Sequence, residues 1–173
     1  AELRRAVGEA LLRAGKAAAL TVAGGQGTRL GYDGPKGTYP IGPVTGKSLF
    51  RIHAERILAT GRRYGRHLPW YIMTSDTTDA PTRRYFERED FLGLDRDAVF
   101  FFRQGMMPAL DRCFKLAMAA RDELLMSPNG HGGTLTALAD SGALADMERR
   151  GIEQISYFQV DNPVVPAADP VFL

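Results

Sequence analysis

Strand-like and helix-like hydrophobic patterns alternate along the first hundred residues. Apolar side chains recur every three or four positions over residues 2–16, which predicts an amphipathic helix. A buried strand is predicted by the uninterrupted apolar run at 17–23. Two further apolar runs, at 69–75 and 98–103, predict two more core strands.

Two helices are predicted between these strands. Ser48 suits the N-cap of a helix that runs to about Thr60, where Gly61 is expected to end it. Asp79 opens the next helix, which is expected to end before Gly93. This order of strands and helices predicts an α/β fold with a mostly parallel sheet and helices on both faces.

The second half of the chain contains one ambiguous segment. Residues 134–150 predict more helix, broken near Gly142, and residues 154–160 predict a fourth core strand. Residues 114–127 have helix-forming composition, yet two short apolar runs flank "AARDE" and would suit a hairpin equally. Propensity alone favours helix for this segment.

Composition and charge limit the class of protein. Of the 173 residues, 45% are apolar and 24% are charged, which is typical of a globular domain rather than a disordered chain. A formal net charge of +2 does not indicate a nucleic acid or a membrane surface as partner. The single cysteine, Cys113, excludes an internal disulfide and is expected to be a small core residue. Without a targeting signal or a membrane span, we expect a cytoplasmic protein.

The most informative stretch is the glycine-rich segment after the first strand. Gly24, Gly25 and Gly27 lie in "AGGQGTRLG", where bare backbone lets N–H groups approach a phosphate or a base edge. Arg29 and Lys36 are the basic residues of the segment and would neutralise a polyphosphate. The segment is therefore a candidate nucleotide-binding loop.

Two familiar nucleotide motifs are excluded by their spacing. In the dinucleotide pattern G-x-G-x-x-G, Leu30 stands where the third glycine belongs. The stretch "GPVTGKS" at 42–48 resembles a P-loop but has three residues between its glycines where four are needed. A turn that leads to the Ser48 cap is the better interpretation of 42–48.

Three further stretches carry polar chemistry at predicted loop ends. Gln104 follows the third strand, and its amide could read a uracil edge or only cap the strand. The glycine turn "SPNGHGGT" at 127–134 could contact a base or sugar, or only connect two elements. Asp161 follows the fourth strand, where a carboxylate could hold Mg²⁺ against phosphate oxygens or only cap a turn. Together they predict a site at the loop ends of one sheet.

Five stretches together resemble the UDP-sugar pyrophosphorylase family: "AGGQGTRLG", "PKGTYPIG", "FFRQGMMPALD", "NGHGG" and "VDNPVV". The resemblance runs from about residue 17 to residue 170. It implies a Rossmann-like nucleotidyltransferase domain (α/β/α) of which residues 1–173 are the N-terminal part, apparently truncated at the C-terminal side. It also implies a β-hairpin at 114–127, which overrules the preference for helix.

The resemblance implies a reaction as well. UTP and a sugar 1-phosphate would react with Mg²⁺ as cofactor, by in-line attack on the α-phosphate of UTP, to give a UDP-sugar and pyrophosphate. Residues at matching positions then take the family's roles: Gly24, Gly25, Gly27, Thr28 and Arg29 in the nucleotide loop, Arg29 and Lys36 as catalytic residues at the phosphates, Gln104 and Gly130 at the uracil, His131 at the sugar and Asp161 at the metal.

The identity of the sugar is ambiguous in the resemblance. His131 stands where N-acetylglucosamine-type members usually have asparagine and where UDP-glucose or broad-specificity members have histidine. The surrounding motifs look most like the N-acetylglucosamine branch, so N-acetylglucosamine 1-phosphate is the favoured substrate. A UDP-glucose or broad-specificity pyrophosphorylase and a non-catalytic nucleotide-binding module are the alternatives. No protein partner is inferred.

Overall fold

A parallel four-stranded sheet between two layers of helices forms the centre of the computed structural model, which describes residues 2–173. The predicted α/β fold is therefore confirmed. Within this range no helix has both the length and the apolarity needed to cross a membrane. In chain order the elements are α1 (Glu2–Ala14), β1 (Ala17–Val22), α2 (Leu49–Tyr64), β2 (Trp70–Thr74), α3 (Asp79–Arg88), β3 (Val99–Arg103), β4 (Met106–Pro108), β5 (Met118–Ala120), β6 (Glu123–Leu124), β7 (Met126–Pro128), α4 (Thr134–Asp140), α5 (Ala143–Arg149) and β8 (Gln154–Gln159).

The central sheet has the strand order β3-β2-β1-β8, and all of its pairings are parallel. Alternate residues of β1 enter two different cores. Ala17 and Ala19 belong to the core that contains residues of α1, α2 and α3, whereas Ala18 and Leu20 belong to the core formed with α4 and α5. Because both faces of β1 are buried, its sequence is an uninterrupted apolar run rather than an alternating one.

Helix α2 begins where predicted but ends one turn later. The Ser48 hydroxyl accepts a hydrogen bond from the backbone N–H of Arg51 at 3.1 Å, as expected of an N-cap. The prediction that Gly61 ends the helix is wrong, because Gly65, with a φ of 67°, is the left-handed capping residue. Inside the helix, a methyl group on Gly61 would lie 2.7 Å from the carbonyl oxygen of Arg66, so the returning chain needs glycine there.

Residues 106–128 form a largely exposed antiparallel arm, in which β4 pairs with β7 and β5 with β6. The hairpin is confirmed, and the helix favoured by propensity is wrong. Pairing across the arm outweighs propensity: the N–H of Ala109 donates to the Leu125 carbonyl at 2.7 Å, and that of Ala117 to the Ala109 carbonyl at 2.8 Å. The expectation that Cys113 is a core residue is also wrong, since it lies exposed in a loop of this arm.

Candidate functional site

The carboxyl ends of the four sheet strands lie at one edge, because all four strands run in the same direction. The chain continues from β1 to β2 on one side of β1, while β8 lies on its other side, so this edge has a crevice between β1 and β8. Gly24 follows β1, Gln104 follows β3 and Asp161 follows β8. The strand order thus brings residues from distant parts of the chain to the same edge.

The side chain of Gln104 rests on the backbone of Gly24. A methyl group added to Gly24 would lie 2.7 Å from Nε2 of Gln104, so only glycine leaves room for this contact. Gln104 is 8% exposed, and its backbone N–H donates to the Thr74 carbonyl at 2.9 Å, which continues the β2–β3 pairing. The amide is therefore held in place directly beside the glycine loop.

Residues 24–38 form a compact double turn rather than entering a helix directly. The backbone N–H of Lys36 donates to the carbonyl of Gly25 at 3.0 Å and closes this loop. Gly27 is buried, and a methyl group there would lie 2.8 Å from the ring of Tyr32, which explains the glycine. Gly27 of this loop thus serves close packing.

Several groups of the loop are available to a ligand. The N–H groups of Gly24, Gly25 and Gln26 donate no hydrogen bond to any residue of the described range 2–173. Thr28 and Arg29 are exposed and lie in the short 3₁₀ turn that ends at Leu30. Successive unpaired N–H groups beside a guanidinium favour an anionic ligand.

Two cavities lie at this edge, one of about 480 Å³ and one of about 150 Å³, and both are lined by Gly25, Lys36 and Asp161. A third, of about 300 Å³, lies at the opposite edge near Leu68 and includes none of the predicted site residues. Gln104 borders neither of the first two directly, since it lies behind Gly24. The other predicted residues in the walls of these two cavities are Gly24, Thr28, Arg29 and His131, whereas Gly27 and Gly130 are not in them.

An ion pair joins the glycine loop to the end of β8. Nζ of Lys36 lies 2.8 Å from Oδ2 of Asp161, although the two residues are 125 positions apart in the chain. The Lys36 side chain is 29% exposed and that of Asp161 is 43% exposed, so both remain accessible to a ligand in the cavities. The Lys36 ammonium and the Asp161 carboxylate thus lie side by side at the crevice between β1 and β8.

The second glycine turn, Gly130–Gly133, lies against the loop that follows β3. The backbone N–H of Asn129 donates to the Gly105 carbonyl at 3.0 Å, and a methyl group on Gly105 would lie 2.7 Å from the Asn129 Nδ2. Gly130 has a φ of 64°, in the left-handed region that favours glycine. The next residue, His131, forms a hydrogen bond through Nδ1 with the hydroxyl of Tyr157 on β8.

Two residues that hold the site were missed by the sequence reasoning. The Ser75 hydroxyl donates to the carbonyl of Gly24 at 2.8 Å, and its place at the end of a buried strand could have indicated it. His53 of α2 donates from Nε2 to the Val160 carbonyl at 2.8 Å, next to Asp161. Burial lowers the pKa of His53, so the ring is neutral at pH 7 and carries its proton on Nε2. This contact depends on the packing of α2 against the end of β8, which no local sequence pattern indicates.

The chain was compared with families and proteins of known identity. The model of the UTP--glucose-1-phosphate uridylyltransferase family matches residues 2–173. UDP-N-acetylglucosamine diphosphorylase 2 of Arabidopsis thaliana is 43% identical over 170 residues, which cover 92% of this chain and 34% of the relative. UDP-N-acetylglucosamine pyrophosphorylase of Saccharomyces cerevisiae is 41% identical over 163 residues, with the same two coverages of 92% and 34%. The chain thus spans about a third of the length of these relatives.

The fold comparison agrees with the sequence comparison. The crystal structure of uridine diphosphate N-acetylglucosamine pyrophosphorylase from Trypanosoma brucei, in complex with an inhibitor, superposes with a TM-score of 0.87 at 33% identity. That superposition covers 99% of this chain and 37% of the trypanosomal chain. Since a family match over residues 2–173 and identities above 40% point the same way, the chain belongs to the UTP--glucose-1-phosphate uridylyltransferase family.

Proposed function

We propose that the protein transfers the uridylyl group of UTP to a sugar 1-phosphate and releases pyrophosphate. The observation that carries the proposal is that Lys36 and Asp161 meet in a cavity wall that also contains Gly24 and Gly25, with the Gln104 amide packed behind Gly24. The names of the yeast and trypanosomal relatives, both UDP-N-acetylglucosamine pyrophosphorylases, support it. In this proposal residues 1–173 are the N-terminal part of a nucleotidyltransferase catalytic domain.

UTP lies along the glycine loop in this proposal. The N–H groups of Gly24 and Gly25 bind phosphate oxygens, and the exposed guanidinium of Arg29 adds a bidentate contact. The amide of Gln104 offers one kind of donor and one acceptor, which match the O4 and N3–H of a uracil edge. Gly27 and Thr28 shape the same loop, and Gly130 lies near the base.

Asp161 suits a magnesium ion that binds together with the nucleotide. Mg²⁺ is commonly held by one or two carboxylates, with phosphate oxygens and waters as its other ligands. No group of three or more His, Cys, Asp or Glu side chains that could hold a metal occurs within residues 2–173, so phosphate oxygens complete the set in this proposal. The ion neutralises phosphate charge when bound. The second carboxylate oxygen of Asp161, which Lys36 does not contact, would be free for the ion, and the Lys36 ammonium has further N–H donors for the phosphates.

The reaction needs no nucleophile from the protein. A phosphate oxygen of the sugar 1-phosphate forms a bond to the α-phosphorus of UTP, while the bond from that phosphorus to the bridging β-phosphate oxygen breaks. The electron pair of the broken bond goes to pyrophosphate. Lys36 and Arg29 stabilise the negative charge that builds on this leaving group, and the loop holds the reacting phosphates in line.

N-acetylglucosamine 1-phosphate is the sugar substrate that we favour, because the relatives described above are all named for UDP-N-acetylglucosamine. His131 supports the alternative of a UDP-glucose or broad-specificity enzyme, since it departs from the asparagine expected in the N-acetylglucosamine branch. We also propose a cytoplasmic location, because the single cysteine, Cys113, is free and needs no oxidising compartment.

The proposal is tested with the protein at its natural full length. Pyrophosphate release is measured with UTP, Mg²⁺ and, in turn, the 1-phosphates of glucose, galactose, N-acetylglucosamine and N-acetylgalactosamine. We expect turnover with UTP to exceed turnover with ATP, CTP and GTP, and N-acetylglucosamine 1-phosphate to be the best acceptor. UTP binding without turnover on any sugar would instead support a non-catalytic nucleotide-binding module. Equal use of all four triphosphates would remove Gln104 from uracil recognition.

A further inference from the structure

His131 and Tyr157 form a pair that the proposed reaction does not yet use. Nδ1 of His131 and the Tyr157 hydroxyl share a hydrogen bond, and the two ring centroids are 6.0 Å apart with the planes at 67°. His131 belongs to the turn that precedes α4, whereas Tyr157 is in the middle of the edge strand β8. The contact therefore links the turn that precedes α4 to strand β8 of the sheet.

The direction of this hydrogen bond sets the chemistry of the imidazole. A phenol O–H is a good donor, and the unprotonated nitrogen of a neutral imidazole is the stronger acceptor of the pair. In the favoured arrangement Tyr157 donates to Nδ1, so the His131 proton resides on Nε2. The nitrogen that remains for a ligand is then a hydrogen-bond donor rather than an acceptor.

His131 is in the wall of the smaller cavity, of about 150 Å³, together with Gly24, Gly25, Lys36 and Asp161. Tyr157 is not in that wall, although its side chain is exposed on the edge strand. Because Tyr157 is outside the wall and its hydroxyl hydrogen-bonds to Nδ1 of His131, we expect its influence on a ligand in this cavity to pass through His131. A ligand group that faces His131 must accept a hydrogen bond.

We propose that Tyr157 is a positioning residue, which holds His131 in the Nε2–H tautomer so that the ring donates to an acceptor oxygen of the sugar 1-phosphate. This inference rests on the proposed function for the identity of the ligand. The tautomer itself does not depend on that function. Loss of the Tyr157 hydroxyl leaves Nδ1 without its partner, so the ring populates both tautomers and more orientations, and the sugar substrate binds less tightly.

The tautomer is measured by NMR on the full-length protein labelled with ¹⁵N in its histidine rings, with the His131 signals assigned by their loss in His131→Asn. We expect wild-type His131 to be protonated on Nε2, and Tyr157→Phe to show a mixture of tautomers. A wild-type ring protonated on Nδ1, or the same Nε2–H signal in Tyr157→Phe as in the wild type, would overturn the proposal. This result is obtained whether or not the protein turns over UTP, which separates it from failure of the proposed function.

Kinetics test the consequence for substrate. Tyr157→Phe should raise KM for the sugar 1-phosphate by about 3- to 10-fold, the value of one net hydrogen bond, with kcat and the KM for UTP nearly unchanged. Tyr64→Phe is the matched control, because the buried hydroxyl of Tyr64 has no hydrogen-bond partner in the described residues, and it should change neither constant.

A double-mutant cycle completes the test. In a His131→Asn background, Tyr157→Phe should have no further effect on KM, since Tyr157 acts through His131. An undiminished effect of Tyr157→Phe in that background would overturn the positioning role. If the wild type forms no UDP-sugar, the same cycle is run on the affinity for the sugar 1-phosphate by NMR titration.

Discussion

Replacing Asp161 by asparagine should separate a catalytic role of this residue from a structural one. The substitution keeps the side-chain shape and removes the charge that pairs with Lys36 at 2.8 Å. Both side chains are partly exposed, and measured ion pairs of this kind contribute about 0.2–1 kcal/mol to stability. For a domain of this size, such a loss lowers Tm by no more than about 4 °C.

The expected effect on turnover is much larger. In the proposed reaction Asp161 holds the metal that neutralises the phosphates, and loss of one charge-stabilising group in a closed site costs on the order of 10²–10³ in rate, or roughly 3–4 kcal/mol. Lys36→Ala should lose turnover to a similar extent, because it removes the ammonium that stabilises the leaving pyrophosphate. The loss of activity thus exceeds the loss of stability several-fold for either variant.

The assay compares kcat for pyrophosphate release with Tm for the full-length wild type and each variant. Glu153→Gln is a matched control, because Glu153 pairs with Lys16 at 2.6 Å and joins the same two strands, β1 and β8, at their opposite ends. We expect the control to lose the same small amount of stability and no turnover. A rate within threefold of wild type in Asp161→Asn, or a Tm that falls far more than in Glu153→Gln, would refute the reasoning.

Three further predictions concern residues that support the site. Gly24→Ala should displace the Gln104 amide, because the new methyl group would lie 2.7 Å from Nε2. The variant should bind UTP more weakly in calorimetry, with only a small decrease in Tm. An unchanged affinity for UTP would contradict this prediction. Ser48→Ala should cost about 1 kcal/mol of unfolding free energy in urea, since α2 loses its N-cap; no shift of the midpoint contradicts it. Burial lowers the pKa of His53 below about 6.5, its value in the unfolded chain. The contribution of His53 to stability should therefore be constant above about pH 6.5. It should fall as the pH decreases below that value, because the unfolded state takes up the proton first. In His53→Gln, which keeps a donor for the Val160 carbonyl, this fall in stability below about pH 6.5 should shrink; an identical pH profile refutes the assignment.

Local patterns predicted most of the elements, because local physics governs them. The apolar run at 17–23 became β1, and Ser48 caps α2, since a continuous apolar run and an N-cap are both local features of the sequence. Local patterns failed where distant backbone intervened. Gly61 lies inside a helix against the returning chain, and residues 114–127 pair in an arm instead of forming the helix that their composition favours.

The sequence by itself determined which polar and charged residues follow the strands of the sheet, and it predicted a phosphate-binding role for some of them. Tertiary structure alone decided that Gln104 rests on Gly24, and that Lys36 meets Asp161 across 125 positions. It alone placed His131 against Tyr157, which no motif indicated. The physical reason is the strand order β3-β2-β1-β8, in which parallel pairing puts all four carboxyl ends at one edge. This order depends on how helices from different parts of the chain bury the two faces of the sheet. No single segment specifies that packing.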